Sequence, residues 1–110
     1  MALPPPGTPG CIWITGASSG IGAAVALELA RRGYRIAASA RGEDGLRELA
    51  AQAGHGAIAG FPLDVTDHEA VLATAQDIEQ QCGPILGALL CAGTYQPISA
   101  QDFDARAADK

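Results

Sequence analysis

"TGASSGIG", residues 15–22, follows the apolar run "CIWI" and opens an alanine-rich stretch. Three of its eight residues are glycine and three carry hydroxyls. Such residues pack poorly, so a loop that uses them must need backbone freedom or exposed polar groups. "CIWIT", residues 11–15, is apolar without alternation, the pattern of a strand covered on both faces. Residues 21–32 then read as a helix, with Ile21, Ala24, Val25 and Leu29 at helical spacing and Glu28 the exception. Arg31 and Arg32 suit the negative end of its dipole, and Gly33 stops it. A helix N-terminus presents unpaired N–H groups. Glycines let those amides close on a phosphate. Here Gly16 makes the turn, Gly20 admits the phosphates, Gly22 brings the helix close, and Ser18 and Ser19 add hydroxyl donors. The competing reading is a glycine-rich turn that binds nothing, but the strand before it and the helix after it are what the binding mechanism needs.

Outward from this loop the pattern repeats. Residues 34–39, "YRIAAS", read as a second strand. Leu46, Leu49, Ala50 and Ala53 mark one face of a second helix, closed by Gly54. Residues 56–63 hold a third strand, and Pro62, lacking an amide hydrogen, places it at an edge or ends it. Thr66 and Glu69 form a capping box for a third helix whose face is Val71, Leu72, Ala75, Ile78 and Cys82. Gly83 and Pro84 stop that helix. Residues 85–93 form a fourth strand, and a further helix begins near Ala100. Strands alternating with helices predict an α/β fold with a doubly wound parallel sheet and right-handed crossovers.

The bulk properties set bounds. The 110 residues suffice for one modest domain, with 48% hydrophobic and 17% charged residues. A formal charge of -5 argues against nucleic acid and anionic membranes as partners. Residues 1–9 read as a disordered Pro/Gly leader without the basic and apolar regions of a signal peptide, so the expected location is cytoplasmic. Cys11, Cys82 and Cys91 show no C-x-x-C and no metal-ligand spacing, and they are expected to be reduced thiols. His55 and His68 read as surface histidines, and no metal site is expected.

T-G-x-x-x-G-x-G, as it stands in Thr15, Gly16, Gly20, Ile21 and Gly22, resembles the short-chain dehydrogenase/reductase family. Flavin and nucleotide-sugar proteins of similar fold more often use other glycine spacings. Three further places match. At the end of the second strand the resemblance puts the group that reads the adenine ribose. Ala40 followed by Arg41 looks like the NADP-preferring form, because an Arg clasps a 2′-phosphate that a carboxylate would repel. Asp64 and Val65 match the pair that meets the adenine. Cys91, Ala92 and Gly93 stand where the family has N-A-G, with Cys91 replacing an Asn that ties neighbouring strands. The resemblance implies a Rossmann-type sheet of order 3-2-1-4 and an NAD(P)-binding domain over residues 10–110.

The family's catalytic Ser and Tyr-x-x-x-Lys cannot be assigned. Tyr34 lies in the second strand, before the second helix, Tyr95 has no Lys four residues on, and the only Lys is Lys110. The expectation is an oxidoreductase fragment that binds NADP in preference to NAD. Hydride transfer to or from a carbonyl or alcohol substrate would depend on a catalytic half beyond Lys110. The alternatives are a non-catalytic dinucleotide-binding module and an inactive truncated product. The fourth strand would be an apolar edge, so self-association is expected. Cys11 and Cys91 belong at opposite ends of the sheet and cannot form a disulfide.

Overall fold

Parallel strands rise side by side because each apolar run is followed by an amphipathic helix that returns the chain to the same edge. A computed structural model of the chain describes residues 3–18, 20–54 and 56–91. Its elements are β1 (Cys11–Thr15), α1 (Gly20–Arg31), β2 (Ile36–Ser39), α2 (Glu43–Ala53), β3 (Ile58–Gly60), α3 (His68–Cys82) and β4 (Ile85–Leu90). The sheet is parallel throughout in the order β3-β2-β1-β4, as expected.

Every residue of β1 is buried, and its two faces enter different cores. Ile12 and Ile14 join Ala26, Ile36, Ala38, Leu46, Leu49 and Ile58 on the side of α1 and α2. Cys11 and Trp13 join Ala37, Phe61, Leu63, Ile78 and Cys82 on the side of α3. The period of two in a strand produces this split, although the sequence is apolar at every position.

Pro62 falls beyond β3, and β3 is an edge strand, so both halves of the expectation hold. Phe61 and Leu63 donate to Ala38 O and Ala40 O at 2.8 Å, and the proline between them needs no partner. Glu28, the residue that breaks the apolar face of α1, is exposed enough to pair with Arg31 and Arg32, each at 2.7 Å.

The start of α3 differs from expectation. Asp67 is the cap, accepting from Ala70 N at 3.1 Å, while Thr66 Oγ1 donates to Asp64 Oδ1 at 2.7 Å. Thr66 is drawn into the preceding turn, so the helix starts one residue later than a Thr66–Glu69 box would place it. Leu72 also leaves the predicted face: it is 57% exposed, whereas Ile78 and Cys82 are buried.

The Pro/Gly leader makes specific contacts from residue 3. Leu3 packs on the first core, Thr8 N closes a turn on Pro5 O, and Tyr34 Oη donates to Pro4 O at 2.6 Å. Among the described residues no helix is long and apolar enough to cross a membrane. The expected helix near Ala100, His55 and Tyr95 lie outside the described residues.

Candidate functional site

At the carboxyl edge of the sheet the four strands deliver the residues that follow them. The loop after β1 brings Gly16, Ala17 and Ser18. The segments after β2 and β3 bring Ala40 with Arg41 and Asp64 with Val65, and Cys91 follows β4. In open parallel sheets this edge is where ligands bind. Hydrogen bonds hold the pieces in register. Ala17 N donates to Ser39 O at 3.0 Å, and Cys91 N donates to Thr15 O at 3.2 Å. Thr15 is buried, with Oγ1 donating to Leu89 O at 3.4 Å.

The loop glycines do different work. Gly16 has φ +66, and a Cβ there would run into the Cys91 carbonyl oxygen. No larger residue fits without moving β4. A Cβ on Gly22 would strike the Gly16 carbonyl oxygen, so α1 starts directly against the loop. Gly20 has φ +60, and nothing among the described residues lies within 4 Å of where its Cβ would be. That open space lies at a helix N-terminus, whose free amides suit an anionic group, so the residues present are compatible with a dinucleotide phosphate.

Arg41 and Asp64 meet across this edge. Arg41 Nη2 lies 3.4 Å from Asp64 Oδ1, and the Arg41 side chain is 75% exposed. The same Oδ1 accepts from Thr66 N at 2.9 Å and from Thr66 Oγ1 at 2.7 Å. These bonds, first from the Thr66 hydroxyl and then from its amide, hold the Asp64 carboxyl below its ordinary value, with Arg41 adding less. Asp64 is therefore an anionic acceptor at neutral pH. Ala40 is buried, while Ile21 and Val65 are apolar yet largely exposed at this edge. Burial pushes the Cys91 thiol up, so it stands as a neutral, half-buried group beside Gly16. Ser19, Ala92 and Gly93 lie outside the described residues.

Two features of the site escaped the sequence reading. Gly45 lies inside α2, where a Cβ would fall 2.7 Å from Ser18 Cβ. Its absence lets α2 rest against the glycine loop. The signal was present: a glycine within a helix is unfavourable and asks for a reason. The second is Ser39, fully buried, whose Oγ accepts from Trp13 Nε1 at 2.9 Å. It anchors the end of β2 just before Ala40. Tyr34, by contrast, sits before β2 at the opposite edge. No group of three or more His, Cys, Asp or Glu residues among those described could hold a metal ion.

The family model for short chain dehydrogenase matches residues 10–110. D-threitol dehydrogenase of Mycolicibacterium smegmatis is 41% identical over 98 residues, spanning 83% of this chain and 38% of that protein. The NADPH-dependent 1-acyldihydroxyacetone phosphate reductase of Saccharomyces cerevisiae is 42% identical over 59 residues, 54% of this chain and 20% of the yeast protein. A solved short chain dehydrogenase/reductase family oxidoreductase from Aeromonas hydrophila superposes with a TM-score of 0.71 at 29% identity. It covers 79% of this chain and 42% of its own. This chain thus spans less than half the length of the proteins it matches. With sheet order, glycine loop and family model agreeing, the chain belongs to the short-chain dehydrogenase family.

Proposed function

We propose that this chain is the NADP(H)-binding portion of an oxidoreductase that moves a hydride between nicotinamide and a carbonyl or alcohol substrate. When bound, the dinucleotide supplies the hydride chemistry. The protein's own residues bind and orient it. Gly16, Gly20 and Gly22 let the loop and the start of α1 turn their amides to the pyrophosphate, with the hydroxyls of Ser18 and Ser19 beside them. Thr15 and Ile21 frame the loop. Asp64 and Val65 receive the adenine, and Cys91, Ala92 and Gly93 pass beneath a ribose.

The observation that carries the NADP preference is a small buried Ala40 followed by a largely exposed Arg41. No carboxylate stands at the end of β2 to repel a 2′-phosphate. The contact of Arg41 with Asp64 at 3.4 Å is longer than a strong charge-assisted bond, so the guanidinium is free to turn to a phosphate. The yeast relative is an NADPH-dependent reductase, which agrees with this reading.

Titration of the chain with NADPH and NADH, read by nicotinamide fluorescence, tests it. Arg41→Ala is expected to weaken NADPH about 10- to 100-fold, the range for one charge-assisted contact, and to leave NADH within about twofold. Equal losses for both would remove Arg41 from the 2′-phosphate. Gly20→Val fills the open space in the loop and is expected to abolish binding of both.

A further inference from the structure

The opposite edge of the sheet, away from the glycine loop, holds a pair of thiols that are far apart in sequence. Cys11 opens β1, and Cys82 is the last residue of α3. The return from α3 into β4 lays one segment on the other. Cys11 N donates to Pro84 O at 2.9 Å. A Cβ on Gly83 would lie 3.4 Å from Gly10 Cα and 3.6 Å from Gly10 N. A Cβ on Gly10 would in turn strike Pro84 O. The two segments thus run side by side, joined at Cys11 and Pro84 and leaving no room for a side chain at Gly10. A disulfide needs Cα atoms about 4.4–6.8 Å apart, which this approach allows. Both side chains enter the same core beside Trp13 and Ile78.

We propose that Cys11 and Cys82 are an oxidisable thiol pair, which peroxide converts to an intramolecular disulfide that locks the end of α3 to the start of β1. Cys82, 6% exposed against 1% for Cys11, is the first sulfur reached. Its thiolate attacks one peroxide oxygen, the O–O bond breaks, and the departing hydroxide is protonated to water. The resulting sulfenic acid is attacked by the Cys11 sulfur. The S–S bond forms as the S–O bond breaks, and the Cys11 proton leaves in a second water. Two thiols lose two electrons, and one peroxide becomes two waters.

The surroundings slow the closing step, in which Cys11 is the nucleophile. Burial, the Cys82 thiol and the nearby Glu79 carboxylate disfavour a thiolate at Cys11, and only the Arg35 guanidinium opposes them. The pair therefore responds to sustained exposure rather than to brief pulses, and faster at higher pH. Its product encloses β1, α1, β2, α2, β3 and α3 in one covalent loop, which restricts the unfolded chain.

The test treats the full chain with hydrogen peroxide at pH 8, then alkylates free thiols in denaturant and maps unreduced chymotryptic peptides by mass spectrometry. Cleavage after Leu86, Leu89 or Leu90 separates Cys82 from Cys91. The expected product joins the Cys11 and Cys82 peptides with the loss of two hydrogens, reverts with dithiothreitol, and melts at least about 5 °C above the reduced chain. Alkylation of both cysteines would overturn the proposal. So would bridges to Cys91 or to a second chain, or oxidation to sulfinic and sulfonic acids without a bridge.

Discussion

At the scale of single residues, Ser39 carries more than its size suggests. It is fully buried and is the hydrogen-bond partner of Trp13 Nε1 at 2.9 Å. Ser39→Ala would leave an indole N–H buried without an acceptor, a loss of about 1–3 kcal/mol. Trp13 is the only tryptophan, so denaturant unfolding followed by its fluorescence reads the effect directly. An unchanged midpoint would mean that water replaces the hydroxyl. The sequence offered Ser39 as an ordinary end of a strand. Nothing local links it to Trp13, because the bond crosses from β1 to β2. Arg41 and Asp64 were legible as separate candidates from their places after strands. Their contact with one another was not, because it depends on how β2 and β3 are paired.

At the scale of elements, the helices show where local rules hold and where packing overrides them. The cap of α3 moved from Thr66 to Asp67 because the Thr66 hydroxyl found a better acceptor in Asp64. Gly45 in α2 is a sharper case. On propensity alone Gly→Ala inside a helix stabilises by about 1 kcal/mol. Here a Cβ would come within 2.7 Å of Ser18 Cβ, so α2 and the loop would have to separate. Gly45→Ala is therefore expected to lower stability by about 1–2 kcal/mol and to weaken NADPH and NADH alike through the displaced loop. Thermal melts and the same cofactor titrations check both effects. A stabilised variant with unchanged affinity would show that the loop yields freely.

At the scale of the whole molecule, the core on the α3 side makes stability depend on alkaline pH. Burial, foremost, pushes the Cys11 thiol from an ordinary 9.0 up to about 11. The folded state therefore holds a proton that the unfolded chain releases first. The stabilisation is complete below about pH 9 and is lost as pH rises towards about 11, where it amounts to roughly 2–3 kcal/mol. Under reducing conditions the chain is expected to lose that much more stability over this range than Cys11→Ala does. Parallel curves would mean that the thiol is not held neutral by folding. By itself the sequence determined the alternation of strands and helices, the parallel sheet and the place of the glycine loop. Each of these follows from local periodicity and from the few residues that tolerate a tight turn. Tertiary structure alone decided which partners meet across elements: Gly45 with Ser18, Trp13 with Ser39, Arg41 with Asp64, and Cys11 with Cys82. Those contacts arise from the register of packed strands and the return path of helices, which no spacing along the chain encodes.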